Sequence, residues 1–355
     1  MIYKVIAPSP DLFSTSLLRA GMAAPLDLRQ LAVGNRIQDP LLVLEVEHRD
    51  TGNGGFTTLI LGNASGRLPS APFWAEDQPR LAGITRGDVV QVIGEIGQYN
   101  GRRQLKVGSI RGVPRGSVDW RQLMPSVHDV RPCWDAIDRW RAGIQRPRLA
   151  ATINLFYADP DFRRHYEECP ASVQGHHAQL GGLLKHTCEV ASIGRAIGKT
   201  CHADVELVVA GALLHDIGKL DAYSWNGTFE HTERGSLLGH VALGLLMLDR
   251  RLAEQASAPC TAREVTLLHH LIASHHGQLV FGAAVPPMTL EAEVLHFADN
   301  ASAKTANMAD ALGNRDNFVG EALVSAKSLW QLDRRRAYRG QSDWGGKAER
   351  PPSRG

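Results

Sequence analysis

Residues 211–220 read GALLHDIGKL. A helical apolar run leads into His215-Asp216, and Gly218 follows two residues later, where a helix ends. Adjacent residues on a helix point about 100° apart. His215 and Asp216 therefore reach one common ligand only from a helix end that faces it. Outward along the chain the same kind of word recurs four times: His186 in GGLLKHT, His240 in LLGHVALG, His275-His276 in IASHHG and Asp299 in HFADNASAK. Of 15 histidines, 13 fall between His165 and His296. A single histidine on an apolar helix face is ordinarily a satisfied core residue, and His202, His269 and His296 are read that way. Five such sites with apolar flanks are different, because burying so many polar rings without a partner is very costly. Imidazole nitrogen with carboxylate oxygen suits first-row divalent metals. The seven side chains His186, His215, Asp216, His240, His275, His276 and Asp299 exceed one tetrahedral zinc. They could hold two ions with Asp216 between them, leaving positions for water and a phosphate oxygen.

The segments around these words are helical. CWDAIDRWRAGI, RPRLAATINLFY, GGLLKHTCEVASIGRAIG, ADVELVVAGALLHDIG, GSLLGHVALGLLMLDRRLAE, TAREVTLLHHLIASHH and LEAEVLHFADNASAKTANM carry apolar residues at i, i+3, i+4 and i+7. Thr261-x-x-Glu264 is a capping box, and Gly277 stands where a helix-ending glycine belongs. Residues 133–330 are thus expected to form an all-α domain. Upstream the period changes to that of strands. Five short β-rich runs between residues 31 and 113, the last two joined at Asn100-Gly101, suit a small closed or partly open barrel, with a five-stranded OB-fold the leading reading and some other small β-domain the alternative. The expected class is multidomain α+β: an extension at 1–30, the barrel at 31–113, a linker at 114–132, the helical domain, and a disordered basic tail at 331–355.

Composition narrows the function. Lys and Arg number 39 and Asp and Glu 37, so the chain lacks the basic excess of a duplex-DNA binder. Five scattered cysteines form no Cys-x-x-Cys pair, which argues against a disulfide framework and a thiolate zinc site. No apolar run is long enough for a membrane span, and the first 24 residues lack the apolar stretch of a secretory signal. The expectation is a cytoplasmic protein with no membrane partner. OB-folds bind single strands by stacking bases on aromatics beside basic groups. Phe56, Phe73, Trp74 and Tyr99, with Arg102, Arg103 and Lys106, are the candidates here; the other reading of the aromatics is barrel core.

The order His…His-Asp…His…His-His…Asp resembles the HD superfamily of metal-dependent phosphohydrolases. The words HHAQLGGLLKHT (176–187), GALLHDIGK (211–219), LLGHV (237–241), HLIASHHG (270–277) and HFADNASAK (296–304) resemble more closely the YhaM-type 3′→5′ exoribonuclease family, whose members also place an OB-fold ahead of the HD domain. The resemblance covers about residues 31–310. It implies a hydrolase that degrades single-stranded RNA, and single-stranded DNA as well, from the 3′ end to mononucleotides. It implies metal ligands at His186, His215, Asp216, His240, His275, His276 and Asp299. The cofactor would be one or two divalent ions, manganese foremost, with iron, nickel, zinc or magnesium as alternatives. Asp216 and Lys219 would be catalytic, Lys219 by steadying a phosphate; its other reading is a surface lysine at a helix end. His176, His177, Asn300 and Lys304 would meet substrate, together with Phe56, Trp74, Tyr99 and Arg103 of the barrel. Family members are often homo-oligomers. Two departures stand out: Gly182 where relatives with a third metal place a carboxylate, and Asn63 where an acidic residue is usual. Two rivals remain: a phosphohydrolase of a small or cyclic nucleotide with the barrel as a regulatory module, and a non-catalytic single-strand binder with a structural metal.

Overall fold

The structure is a computed structural model that describes residues 26–50 and 54–342. The expected extension up to residue 25 and the expected tail beyond residue 342 lie outside the described residues.

Five antiparallel strands open the fold: β1 (Arg36–Arg49), β2 (Phe56–Asn63), β3 (Gly66–Pro69), β4 (Val89–Tyr99) and β5 (Arg102–Val113), in the order β3-β2-β1-β4-β5. β1 pairs with β4 from Arg36 to Leu42 and with β2 from Leu42 to Arg49, with a register shift between Val43 and Glu45. That bulge bends one strand into both halves of the sheet. A parallel bridge from Ser70 to Leu105 brings the β3 edge to β5 and closes an OB-like barrel. Asn100 and Gly101 take φ of 49° and 76°, the positive values a two-residue type I′ turn requires. Alternate residues such as Leu41, Val43, Leu59, Leu61 and Val92 fill the interior. Leu28, from the expected extension, is buried with them.

The remainder is helical around α5 (Val205–Leu214), seven of whose ten residues are buried. A helix apolar on all sides belongs at the centre of a body. α4 (Gly182–Thr200) and α9 (Leu290–Gly313) pack against it and each other, and α8 (Ala262–Ser274) joins them. α7 (Glu233–Ala253) packs on α8 and on α6 (Lys219–Ala222). α1 (Arg131–Ala142), α2 (Pro147–Tyr157) and α3 (Pro160–Glu168) complete the described set. All seven expected helical segments are present.

Four readings need amendment. α3 was not expected, although Asp159 accepts from two backbone N–H groups at its start and Pro160 fills its first position, a readable start signal. The helical body is not purely α: β6 (Tyr223–Trp225) and β7 (Phe229–His231) form a hairpin whose three-residue strands are too short to show a period. The segment 114–132 is no free tether. Met124 packs with Leu42 and Val89 of the barrel, and Pro125 and Val127 bond the backbone of Leu180 on both sides. Residues 331–342, assigned to a disordered tail, fold back instead. Leu332 and Ala337 pack with Ala311 and Phe318, and Ser325 N donates to Ala337 O at 2.9 Å. Backbone bonds from Leu329 N to Arg335 O and from Arg339 N to Leu323 O add to these two apolar anchors in an otherwise polar stretch. Among the described residues no helix is long and apolar enough to cross a membrane.

Candidate metal centre

The seven histidine and aspartate side chains meet in one place because helix ends converge there. His215 caps the C-terminus of α5 and His275 that of α8. The negative ends of two helix dipoles therefore point at the site and favour a cation. α7 breaks at Gly239 (φ 72°, ψ 157°), a conformation open mainly to glycine, immediately before His240. His186 sits in the second turn of α4 and Asp299 in the middle of α9.

Asp216 stands between two groups of donors. Its Oδ2 lies 3.1 Å from His215 Nε2 and 3.4 Å from His186 Nε2, while its Oδ1 lies 3.4 Å from His240 Nε2 and 3.7 Å from His275 Nε2. Asp299 Oδ1 is 3.0 Å from His186 Nε2, and His276 Nε2 is 3.0 Å from His240 Nε2. Within each trio, His186–His215–Asp216 and His240–His275–His276, the ligand atoms lie within 4.8 Å of one another. Asp216 Oδ1 and His275 Nε2 are buried with no hydrogen-bond partner. Such an orphan costs about 1–3 kcal/mol each, and a divalent cation between them would satisfy both. The donor set fits a metal.

The electrostatics agree. Burial pushes His240 down to about 3 and holds His275 well below the usual imidazole range and His276 below it, so these rings are neutral and have lone pairs to offer. Burial opposes ionisation of Asp216, yet Lys219 and His215 hold its carboxyl well below the ordinary value. Asp299 is likewise lowered against its burial, chiefly by His186. For His186 burial is outweighed by Asp216 and Asp299, which raise it. His215 and His275 are steered by backbone: their Nδ1 atoms lie 2.8 and 2.7 Å from the carbonyls of Ala212 and Ile272. Nδ1–H donates there, leaving Nε2 turned inward.

The HD domain family matches residues 183–304, which carry all seven side chains. The 3′-5′ exoribonuclease YhaM of Bacillus subtilis (strain 168) is 30% identical over 284 residues, covering 78% of this chain and 88% of that protein. That of Oceanobacillus iheyensis is 29% identical over 320 residues, covering 86% and 95%. That of Shouchella clausii is 30% identical over 293 residues, covering 80% and 88%. The chain belongs to the YhaM family of 3′→5′ exoribonucleases.

The remaining expected residues of this YhaM-family chain fall in different places. Lys219 is buried, its Nζ 2.6 Å from Asp216 Oδ2, so in this structure it meets a carboxylate. The His176 ring centroid is 5.3 Å from that of His186, and burial pushes its pKa down to about 3. His177, at φ 50°, turns away to Glu189. Asn300 is exposed on α9. Lys304 lies five residues past Asp299, well around the helix, and its Nζ is held by Asp333 at 2.7 Å. On the barrel, Trp74 is 43% and Tyr99 67% exposed, and Phe56 packs beside Trp74 with ring centroids 5.1 Å apart. Phe73 is core. Arg103 is engaged within the protein, paired with Asp316 at 2.9 Å and donating to the carbonyls of Leu28 and Leu31. Arg102 and Lys106 stay exposed.

The two departures have physical reasons. Asn63 donates through Nδ2 to Leu26 O and accepts at Oδ1 from Ser65 N, at 2.8 and 2.9 Å; a carboxylate could not do both. A side chain at Gly182 would overlap the His177 carbonyl oxygen. Two residues given no role by the sequence alone stand behind His186: Ser302, inside the word HFADNASAK, meets its Nδ1, and Glu189 in turn meets Ser302. Each lies one helical turn beyond a ligand candidate, His186 and Asp299, a spacing that sequence alone offers at many polar positions.

Proposed function

We propose that this chain is a metal-dependent 3′→5′ exonuclease that hydrolyses single-stranded RNA to mononucleotides, and single-stranded DNA as well. The observation that carries this reading is Asp216, a buried carboxylate with one oxygen toward each of two imidazole groups and one oxygen unpartnered, in a chain of the YhaM family.

The ligands we assign are His186, His215, Asp216, His240, His275, His276 and Asp299, for one or two divalent ions with manganese foremost. The bound metal would polarise the phosphodiester and neutralise charge developing on its oxygens. Lys219 keeps Asp216 ionised and oriented, and a phosphate entering the site would compete with Asp216 for its ammonium group. His176, half-buried beside His186, and Asn300, exposed beyond Asp299, are assigned to the substrate side. The barrel, residues 31–113, is assigned to the strand and the helical body, residues 133–330, to the chemistry. Trp74 with Phe56, and Tyr99, offer bases a stacking surface. Work in the cytoplasm and assembly into a homo-oligomer, which would add a second strand-guiding surface, belong to the same proposal. Family membership does not favour the small- or cyclic-nucleotide alternative.

The test is a gel. Chelator-stripped protein is incubated with 5′-labelled single-stranded RNA and Mn²⁺, Mg²⁺ or no metal, beside a 3′-phosphorylated RNA. The expected result is a Mn²⁺-dependent ladder shortening from the 3′ end. An intact band with every metal, alongside turnover of small or cyclic nucleotides, would overturn the reading.

A further inference from the structure

A line of side-chain hydrogen bonds runs outward from His186. Its Nδ1 lies 3.0 Å from Ser302 Oγ, Ser302 Oγ lies 2.7 Å from Glu189 Oε2, and the same oxygen lies 2.8 Å from His177 Nε2. The direction of each bond follows from donor counting. An ionised carboxylate only accepts, and a serine has one hydroxyl hydrogen. Ser302 gives that hydrogen to Glu189 and can then only accept from His186. Nδ1 of His186 must therefore carry a hydrogen. The nitrogen that faces Asp216 and Asp299 is Nε2, 3.4 and 3.0 Å from their oxygens.

His215 and His275 reach the same orientation through backbone carbonyls, which no side-chain change removes. Among these three inward-facing rings, His186 is the one set by side chains. His186 and Ser302 are both buried, so Nδ1 would lose its partner if the hydroxyl were deleted. Glu189 follows His186 by three residues on α4, and Ser302 follows Asp299 by three on α9. The packing of those two helices thus places a ligand candidate from each helix and its support one turn apart.

We infer that Ser302 and Glu189 are positioning residues, a hydroxyl–carboxylate relay that holds His186 with Nε2 turned into the metal centre, with His177 anchoring its outer end. The inference rests on the metal-dependent reading above. It moves His177 from the substrate side to the support of a ligand.

The experiment titrates Mn²⁺ calorimetrically into full-length, chelator-stripped wild type, Ser302→Ala, Glu189→Gln and the double variant. Loss of such outer support typically weakens metal binding about 10- to 100-fold. Ser302→Ala is expected in that range and Glu189→Gln by a smaller factor. The double variant should be no weaker than Ser302→Ala, because both act through one contact. RNA turnover of the variants should fall at limiting Mn²⁺ and return at saturating Mn²⁺ with an unchanged KM for RNA, a rescue that a packing lesion would not show. Unchanged Mn²⁺ affinity in Ser302→Ala overturns the relay, and so do losses that multiply in the double variant. If Ser302→Ala does not fold, the nearly isosteric Glu189→Gln decides alone, and wild-type affinity in it overturns the relay. A wild-type chain that takes up neither Mn²⁺ nor Fe²⁺, Ni²⁺, Zn²⁺ or Mg²⁺ overturns the metal-dependent reading itself, a result distinct from the others.

Discussion

The barrel and the helical body bury polar groups in opposite ways. In the barrel they are small and satisfied: Ser70 Oγ accepts from Leu59 N at 2.9 Å, and Thr57 Oγ1 reaches Gln78 and His48 at 3.0 and 2.8 Å. Each completes a backbone or side-chain pattern that already exists, and the interior around them is apolar. The helical body buries His186, His215, Asp216, Lys219, His275 and Asp299 together and leaves two of their atoms without partners. A folded chain tolerates such a cluster only when something else offsets its cost. One region is thus built to be stable as it stands, the other to be completed by a ligand.

Asp216→Ala tests that contrast most severely. It removes the carboxylate shared by both donor groups and leaves Lys219 buried without its counter-ion. We expect RNA turnover to fall by about a thousand-fold or more, metal content to drop, and the metal-free fold to lose about 3–5 kcal/mol. Assays of turnover, bound metal and denaturant unfolding check all three. Retained turnover at normal metal content would break the comparison. Leu61→Ala is its counterpart in the barrel and should cost about 2–5 kcal/mol of stability through the cavity it leaves. Hydrolysis of a small chromogenic phosphodiester, measured per folded molecule, should stay at wild-type level. Trp74→Ala comes next. Loss of one stacking platform should weaken oligonucleotide binding by about 1–3 kcal/mol and spare the small diester; equal losses on both substrates would mean that Trp74 supports the fold and is no platform. Lys304→Ala should change stability by less than about 1 kcal/mol, as for other exposed ion pairs, and leave RNA turnover intact. A tenfold loss of turnover would return Lys304 to the substrate side.

Much of this contrast could be read from the sequence, for reasons visible in particular residues. His215-Asp216 and His275-His276 stand out because polar pairs interrupt apolar runs where helices must end, and the structure gathers them with His186, His240 and Asp299. The barrel showed itself through alternation and the Asn100-Gly101 turn. Properties that depend on a partner far along the chain stayed hidden. Arg103 looks like any basic residue on a strand until Asp316 is brought to it. Lys304 looks free until Asp333 folds back. Ser302 and Glu189 are ordinary helix-surface types, and only the packing of α4 on α9 turns them toward His186. Local pattern reports which residues a helix or strand will bury, whereas the pairing of charges across 213 positions, as between Arg103 and Asp316, is a property of the finished fold.

The return of residues 331–342 onto α9 matters to anyone shortening this protein. A truncation placed at Trp330, where composition suggests a dispensable end, would strip Leu332 and Ala337 from Phe318 and Ala311 and release Lys304 from Asp333. The newly bared apolar surface includes Ala311 on the helix that carries Asp299 and Phe318 just beyond its end, so such a clone invites aggregation and a loosened centre at once. A cut that spares residues up to Ser342 retains all of these contacts.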